Sequence, residues 1–407
     1  MGLIAYEDAI AILTRETTPL VGTERVALDA SSGRVLAEDV AAPFALPPFP
    51  SSAMDGYALF ADATKGASAE RPVSFEIAGR LYAGDAPRID RRDAAYEIST
   101  GAPLPKGLDA VIRREDATLS KDGARLMITA PIPKMNDARA AGEDFAEGES
   151  VVRRGTLVSP AVILPLAALG VKEARVFARP RVVVVTTGNE LLRAGTSRRA
   201  GAIYDCNGPT LVAMLRLAGC DVRLVDCVPD DLEAARSAMH GLDADLILTV
   251  GAVSEGERDF VPALAETLGA RPLFHKVAIR PAKPVFAAKL GPALWLGLPG
   301  NPVSAVVGAR FFAFPVLRRL LGMAPERPLM LPLAATQATK APLLHFLRAR
   351  VELGTGVVAV LGRQASHLTS TVQSADTWAV CDGQKRYDAG ERVPTFPLFS
   401  FGQGGGT

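Results

Sequence analysis

The stretch RVVVVTTGNE (Arg181–Glu190) determines the fold predicted for the middle of this chain. Its four consecutive valines are typical of a parallel strand buried on both faces, and the glycine after them ends the strand in a loop. Helical and strand-like stretches then alternate: helix Pro209–Ala218, strand Asp221–Cys227, a helix from Asp230–Asp231, strand Asp245–Val250, a glycine loop with another helix, strand Ala293–Leu296 and helix Val303–Leu321. This alternation predicts a doubly wound parallel sheet with helices on both faces.

The segments on either side have other patterns. Residues 5–16 have apolar positions at helical spacing and predict an amphipathic helix. Residues 53–145 hold short β-like runs separated by Gly, Pro and Asp, which predicts a small β-rich domain. Residues 146–178 are suited to join residues 23–45 in one discontinuous domain. From about Pro328 the sequence is again strand-like, and it ends in a glycine-rich tail.

The composition excludes several protein classes. The chain has 407 residues with 45 basic and 44 acidic side chains, for a net charge of +1. This balance argues against a protein that coats nucleic acid or an anionic membrane, although a few local cations suffice to bind an anion. The four cysteines form no Cys-x-x-Cys pair, and no apolar run approaches the ~20 residues that span a bilayer. Because the N-terminus also lacks a signal-peptide pattern, we expect a cytoplasmic protein.

Glycine loops follow three predicted strands, at Thr187–Glu190, Gly251–Gly256 and Gly297–Pro302. Open parallel sheets bind ligands at the carboxyl ends of their strands, and exposed N–H groups at such loops favour phosphates. Each glycine alone is more often just a turn, but three such loops at one sheet edge favour a ligand site. The motifs G-x-x-x-x-G-K-[ST] and G-x-G-x-x-G are absent, which disfavours a P-loop kinase and a dinucleotide dehydrogenase.

Charged residues lie near the same predicted sheet edge. Three acids suit Mg²⁺, which takes a few protein oxygens together with water and phosphates: Glu190, Asp230 and Asp259. Both aspartates are explained equally well as helix caps. Three cations suit oxyanions, although a solvated strand face is an equal alternative: Lys276, Arg280 and Lys283.

Two further loops carry polar residues, and the histidines suggest no chemistry. Asp55-Gly56 follows a proline-rich connector and Thr100-Gly101 lies in a loop with two prolines, yet both are also ordinary turn sequences. The four histidines have no metal-ligand spacing, and no Ser-His-Asp or Cys-His arrangement is evident.

Eight motifs, in this order, resemble the molybdopterin molybdenumtransferase family (MoeA, and the E domain of gephyrin). They span nearly the whole chain: SAMDGYA (52–58), TGAPLPKGLDAV (100–111), AGED (141–144), TTGNEL (186–191), IYDCN (203–207), VGAVSEGERD (250–259), RPAKP (280–284) and GLPGNPVS (297–304).

The resemblance implies an architecture of four domains. These are a discontinuous linker domain (23–45 and 146–178), a β-rich domain (46–145), an α/β molybdopterin-binding domain (1–22 and 179–327) and a C-terminal β-barrel-like domain (328–407). It further implies an elongated homodimer whose cleft lies between the α/β domain of one subunit and the β-rich domain of the other. The implied reaction inserts molybdate into adenylylated molybdopterin and releases AMP with Mg²⁺. A molybdopterin adenylyltransferase or molybdoenzyme acceptors are the protein partners that the resemblance implies.

The resemblance also implies roles for individual residues. Asp55 and Thr100 would complete the cleft from the partner subunit. Positioning of Mg²⁺, the nucleotide or the attacking water is implied for Glu190, Asp230 and Asp259. Binding of molybdate, phosphate or pterin is implied for Gly188, Gly251, Ser254, Lys276, Arg280, Lys283, Pro299, Gly300, Asn301, Pro302, Arg348 and Ser370.

The sequence departs from the family pattern at several motif positions. Asn189 replaces an aspartate, Ala252 and Glu255 enter a loop that is usually GGVSVG, and Ala282 stands where glycine is common. Cys206 replaces a serine or threonine. These departures leave a diverged, non-catalytic molybdopterin-binding or scaffold protein as the alternative to the enzyme. A nucleotide-handling enzyme acting on a pterin is a third possibility, disfavoured because such relatives usually contain only the α/β domain.

Overall fold

The computed structural model describes residues 2–86, 88–253, 260–339 and 341–402. Within these ranges the α-helices are α1 (Tyr6–Glu16), α2 (Pro160–Ala168), α3 (Asn207–Leu217), α4 (Leu232–Met239), α5 (Val261–Thr267), α6 (Pro302–Gly308), α7 (Phe314–Leu320) and α8 (Ser370–Gln373). A π-helical turn at Ala309–Ala313 joins α6 to α7. No helix in the described ranges has the length and apolar character needed to cross a bilayer.

The strands of the described ranges, in chain order, are β1 (Thr23–Ala27), β2 (Val40–Ala41), β3 (Ser51–Ser52), β4 (Gly56–Leu59), β5 (Val73–Leu81), β6 (Ala95–Ile98), β7 (Ala110–Arg113), β8 (Thr118–Leu119), β9 (Arg125–Ile128), β10 (Ala138–Arg139), β11 (Ser150–Val152), β12 (Glu173–Phe177), β13 (Arg181–Thr187), β14 (Leu191–Leu192), β15 (Ile203–Tyr204), β16 (Asp221–Val228), β17 (Leu246–Val250), β18 (Arg271–His275), β19 (Ile279–Arg280), β20 (Phe286–Leu290), β21 (Ala293–Leu298), β22 (Leu329–Pro332), β23 (Gln337–Ala338), β24 (Leu344–Glu352), β25 (Val357–Val360), β26 (Thr377–Cys381), β27 (Arg386–Tyr387) and β28 (Arg392–Pro397).

The chain forms two compact units. The smaller unit comprises Asp39–Arg153 and Pro160–Lys172, and the larger unit comprises Met1–Glu38, Arg154–Ser159 and Glu173–Thr407. The boundaries of the four domains inferred from the sequence stay a prediction.

The smaller unit is built on a six-stranded sheet with the order β7-β4-β6-β5-β9-β8. Side chains alternate between its faces, because successive residues of a strand point to opposite sides. On β4, Tyr57 and Leu59 join one apolar cluster, whereas Ala58 joins another. The predicted β-rich region is therefore confirmed as a sheet with apolar side chains packed on both faces.

The central sheet of the larger unit has the order β16-β13-β17-β21-β20-β18. The valines of β13 explain its position: Val182 and Val184 pack in one core cluster, and Val183 and Val185 pack in the other. The first cluster includes residues of α1, α3, α6 and α7, and the second includes residues of α4 and α5. Helices thus cover both faces, which confirms the doubly wound α/β fold.

One part of the sheet differs from the prediction of an all-parallel sheet. The strands β16, β13, β17 and β21 are parallel, whereas β20 and β18 run antiparallel to their neighbours. The physical reason is the connection between them. Parallel neighbours need a long crossover, usually helical, but only the short segment Lys276–Val285 separates β18 from β20.

The C-terminal sheet follows the order β19-β24-β26-β28-β22, and β25 pairs with β24. Its first strand, β19, comes from the segment between two strands of the central sheet. Arg310, on the π-helical turn, forms a buried ion pair with Glu326. Its Nε also donates to the carbonyl oxygen of Pro397 on β28 at 3.2 Å, which connects the helix to the C-terminal sheet. The C-terminal sheet is therefore joined to the α/β layer by main-chain pairing and by a buried arginine.

Candidate functional site

Strand register brings the candidate loops of the larger unit to one sheet edge. Thr249 of β17 is paired with Gly297 of β21, and Gly297 is paired with Phe286 at the start of β20. Phe286 is in turn paired with His275 at the end of β18. The segment Lys276–Val285, here called the cation loop, therefore lies at the same edge as the carboxyl ends of the parallel strands.

The strand-end loops approach each other closely at this edge. A β-carbon on Gly251 would lie 2.7 Å from the carbonyl oxygen of Thr187, and the φ angle of Gly251 is +105°. A β-carbon on Gly300 would lie 3.8 Å from the Cα of Gly251. Because any larger side chain at 251 would collide with the neighbouring backbone, glycine is required there for the loops to meet.

Two carboxylates flank the short segment Gly188–Asn189. Asn189 N donates to Asp230 Oδ2 at 3.2 Å, and Asp230 N donates to Asn189 Oδ1 at 3.2 Å. On the other side, a β-carbon on Gly188 would lie 2.9 Å from Glu190 Oε2. The structure therefore brings Glu190 and Asp230 to the same loop.

The cap of α4 is Asp231 and not Asp230. Asp231 has extended backbone, and its Oδ1 accepts the N–H of Glu233 at 2.8 Å. Asp230 is thus not needed as a helix cap, which removes the simplest structural explanation for its carboxylate.

These acids suit a magnesium ion only in part. Glu190 is exposed and Asp230 is half-buried, and Mg²⁺ binds through one or two carboxylates plus water and substrate phosphates. Asp259 and Ser254 lie outside the described residues, as does Glu255. The residues that the structure describes contain no cluster of three metal-ligating side chains.

The cation loop is closed at its neck by main-chain hydrogen bonds. Lys276 N donates to Val285 O at 3.0 Å, and Val277 N donates to Lys283 O at 2.9 Å. Lys276 is half-buried, while Arg280 and Lys283 are exposed. The structure therefore groups these three cations on one loop beside the strand-end loops.

Arg280 also begins the C-terminal sheet, where it is paired with His345. His345 is buried, and burial together with a nearby arginine charge lowers the pKa of its imidazole. Arg280 is therefore fixed at its backbone by one sheet while its side chain is exposed.

Arg348 has a different environment from the other predicted cations. Its side chain is 1% exposed and donates to Gln364 Oε1 at 3.1 and 3.2 Å and to Ala365 O at 3.1 Å. Desolvation lowers the pKa of this guanidinium. The structure thus places Arg348 beneath the loop at Gln364–Ala365 and does not bring its charge to the surface.

The loop above Arg348 contacts the helix that begins at Pro302. The carbonyl oxygen of Ser366, the residue after Ala365, accepts the N–H of Val303 at 3.0 Å.

A cavity of 240 Å³ lies beside the Gly297–Pro302 loop. Its lining is mainly apolar and includes Cys206, Asn207, Pro302, Val306 and Thr369. Ser370 follows Thr369 and is exposed, so the structure brings it near Pro302. Burial and the neighbouring Asp205 raise the pKa of the Cys206 thiol, which keeps it protonated at neutral pH.

Asp205 and Asn207 connect the site loops, a role that the sequence analysis missed. Asp205 Oδ2 accepts from Thr186 Oγ1 at 2.8 Å, and Asp205 Oδ1 accepts from the N–H groups of Asn207 and Gly208 at 2.9 and 3.0 Å. Asn207 Nδ2 donates to Gly300 O at 2.8 Å. The motif IYDCN contained both residues, but its letters alone do not indicate which loops they join.

Asp55 and Thr100 form a direct pair within the smaller unit. Asp55 Oδ1 accepts from Thr100 N at 2.7 Å and from Thr100 Oγ1 at 2.9 Å. These two hydrogen bonds lower the pKa of the Asp55 carboxyl. Gly56 begins β4, and a β-carbon there would lie 1.8 Å from Ile112 O, so the glycine allows close strand approach at this point. The pair is an exposed, ionised carboxylate with a fixed orientation.

Three family profiles match consecutive parts of the chain. The MoeA N-terminal region (domain I and II) matches residues 4–170, a probable molybdopterin binding domain matches residues 183–319, and the MoeA C-terminal region (domain IV) matches residues 331–398. Together they cover most of the sequence.

Relatives of similar length match the chain from end to end. A molybdopterin molybdenumtransferase of Synechococcus elongatus is 36% identical over 96% of this chain and 98% of its own length. One of Haemophilus influenzae is 34% identical over 92% of this chain and 94% of its own length. A crystal structure of the molybdopterin biosynthesis MoeA protein from Pyrococcus horikoshii OT3 superposes with a TM-score of 0.83 at 26% identity, covering 97% of this chain and 99% of that one.

Proposed function

Because the chain belongs to the MoeA family of molybdopterin molybdenumtransferases, which act in molybdenum cofactor biosynthesis, we propose that its strand-end and cation loops bind adenylylated molybdopterin and molybdate. The chain is a transferase for molybdenum insertion. In the proposed reaction, molybdate enters the dithiolene of the substrate and AMP leaves in the presence of Mg²⁺.

One observation carries this proposal: cations and carboxylates lie on loops at the same edge of one sheet, on either side of the loops that follow β17 and β21. Molybdate and phosphates are oxyanions, which bind to cationic side chains and to N–H donors. Lys276, Arg280 and Lys283 supply the cations at the same sheet edge as Glu190 and Asp230, with the ends of β17 and β21 between the two groups. A reaction that joins one oxyanion and releases another needs both kinds of charge in one place.

Each loop and side chain would have a separate binding role in this reaction. The cation loop holds the oxyanions, and the backbone of the Gly251 and Gly297–Pro302 loops accommodates the pterin and phosphates closely. Glu190 and Asp230, with Asp259, would hold Mg²⁺, which when bound offsets the negative charge of the departing phosphate. Asn189 orients the Asp230 carboxylate through the pair of reciprocal hydrogen bonds described above.

Asp55 and Thr100 belong to the same proposal through a homodimer. The pairing of the two side chains fixes a carboxylate that can complete the site of a partner subunit. An exposed apolar helix supports an association between copies: α2 contains no charged residue, and its Leu164 is 73% exposed. Such a surface on a protein of ordinary charge favours burial against another chain.

The remaining parts of the proposal concern the setting of the reaction. We place the protein in the cytoplasm, with an adenylyltransferase as the source of its substrate and molybdoenzymes as acceptors of its product. The free thiols in the described residues fit a reducing compartment.

Release of AMP tests the function directly. Purified protein receives adenylylated molybdopterin, Mg²⁺ and molybdate, and AMP is quantified over time. We expect molybdate-dependent release, lost in Glu190→Gln and kept in Glu266→Gln, a matched change on exposed α5 away from the site. Active dimeric protein that releases no AMP in response to molybdate would refute the proposal.

One observation favours a second candidate, a binding protein without turnover. Ala252 and Ala282 have φ angles of +53° and +73°, in the left-handed region where alanine is strained and glycine is not. Both replace residues that are commonly glycine in the family. Tight binding of molybdopterin without AMP release would establish this alternative.

A further inference from the structure

We propose that Arg199 is an additional phosphate-binding residue, which receives the adenylate phosphate of the substrate. The inference deepens the proposed function and rests on it for the identity of the ligand. It is carried by the position of Arg199 on the segment Arg193–Asp205, here called the arginine loop, which follows the TTGNEL motif.

Arg199 is attached to the loop Gly188–Glu190 through an uncharged acceptor. Its Nη2 donates to the main-chain carbonyl oxygen of Asn189, the residue whose N–H and amide oxygen pair with Asp230. Within the part of the chain that the structure describes, Arg199 has no carboxylate partner. Its positive charge is therefore held near Glu190 and Asp230 without a direct ion pair to any acid that the structure describes.

A second arginine in the same loop shows the contrast. Arg193 Nη2 lies 3.0 Å from Asp226 Oδ1, so its charge is already matched by an acid. Arg198 is exposed and makes no side-chain hydrogen bond or ion pair within the described residues. Of the three arginines, only Arg199 is both fixed to a site loop and free of an acidic partner there.

The arginine loop is held at both ends and across its middle. β14 and β15 pair in parallel, Ile203 N donates to Glu190 O at 2.9 Å, and Asp205 N donates to Leu192 O at 2.9 Å. Tyr204 Oη donates to Thr196 O at 2.8 Å. Because the loop is fixed in this way, Arg199 is presented from an ordered support next to Glu190.

The chemistry of a guanidinium selects the ligand. Arginine remains charged at all physiological pH values and offers paired N–H donors that match two oxygens of a phosphate. The carbonyl contact uses one nitrogen and leaves the others for such a ligand. Glu190 and Asp230 would hold Mg²⁺ in the proposed reaction, and a phosphate bound to that ion would be the anion closest to Arg199.

Binding of AMP tests the inference without the full substrate. Isothermal titration of the full-length protein with AMP in MgCl₂ should show affinity reduced about tenfold in Arg199→Ala, the effect of losing one charge-assisted hydrogen bond. Arg198→Ala removes the same charge from the neighbouring residue and should change the affinity less than about twofold. Arg199→Lys keeps the charge without the paired donors and should fall between them. Circular dichroism checks that each variant melts as the wild type does.

Several outcomes would overturn the inference. They are equal losses in Arg198→Ala and Arg199→Ala, an unchanged affinity in Arg199→Ala, or wild-type protein that does not bind AMP. Molybdate-dependent AMP release is measured on the same preparations. Normal wild-type turnover with unchanged AMP affinity in Arg199→Ala refutes the role of Arg199 alone. If Arg199→Ala alone loses affinity for AMP but the wild-type protein shows no turnover, the insertase reaction is refuted and the role of Arg199 is not.

Discussion

Two adjacent aspartates should have opposite effects when they are replaced. Asp230 forms reciprocal hydrogen bonds with Asn189 in the loop after β13, whereas Asp231 caps α4 by accepting the N–H of Glu233 at 2.8 Å. We expect Asp230→Ala to abolish AMP release with little change in stability. Asp231→Ala should lower stability and leave turnover nearly intact.

The magnitudes follow from the contacts. Loss of an N-cap acceptor costs about 1 kcal/mol, which lowers the melting temperature of a domain of this size by roughly 2–4 °C. Loss of one charge-stabilising group at a reaction centre reduces turnover by about a hundredfold or more. Asp230→Asn keeps an acceptor for Asn189 N and removes only the charge, so its loss of turnover should match that of Asp230→Ala.

The assay pairs molybdate-dependent AMP release with thermal unfolding followed by circular dichroism. Equal turnover in the two alanine variants would remove Asp230 from the reaction. If Asp230→Ala lowers the melting temperature as much as Asp231→Ala does, both carboxylates stabilise α4. That result would contradict the assignment of the cap to Asp231 alone.

Three further predictions concern pH, a buried ion pair and a loop glycine. Thr100→Ala removes one of the two hydrogen bonds that lower the pKa of Asp55, so this pKa should rise toward its ordinary value of 3.8; an NMR titration measures it. A higher pKa means that Asp55 becomes protonated at a higher pH. As the pH is lowered, the variant should therefore lose activity at a higher pH than the wild type. Glu326→Gln leaves the guanidinium of Arg310 buried without a counter-charge, which should cost about 3–5 kcal/mol in urea unfolding. Gly251→Ala places a β-carbon 2.7 Å from backbone and side-chain oxygens at a φ of +105°, and should cost more than about 2 kcal/mol in the same assay.

Each of these predictions has a contradicting result. An unchanged Asp55 titration in the threonine variant would mean that the main-chain N–H alone sets its pKa. A loss below about 1 kcal/mol for Glu326→Gln would mean that water replaces the counter-charge. Wild-type stability in the glycine variant would mean that the strand-end loops separate at no cost.

The fold could be predicted well because its signals are local. The valine run of β13 identified a strand buried on both faces, and the structure divides its side chains between two apolar clusters. The antiparallel pairing of β20 with β18 and β21 was not predicted, because the helix–strand alternation indicates parallel neighbours. The short connection Lys276–Val285 held the necessary signal, because it has no room for a crossover helix.

The site could be predicted only as far as residue types allow. Asp55 and Thr100 were selected separately, and nothing in the intervening sequence indicates that one carboxylate oxygen accepts both donors of the threonine. For Arg348, the residue type suggested an exposed site residue where the structure has a buried one. Its charge suggested a ligand contact, but the tertiary structure buries it against Gln364 and Ala365. Long-range packing decides both outcomes, and the sequence pattern does not contain it.

The strand β19 has a consequence for how this protein is made. It leaves the ribosome long before β24, the strand with which Ile279 and Arg280 pair. Until β24 is synthesised, Ile279 and Arg280 have no partner strand, so the nascent chain cannot complete the cation loop by folding the α/β layer alone. A protein truncated before β24 should therefore have a poorly ordered Arg280, and the cation loop should become complete only after β24 has been synthesised.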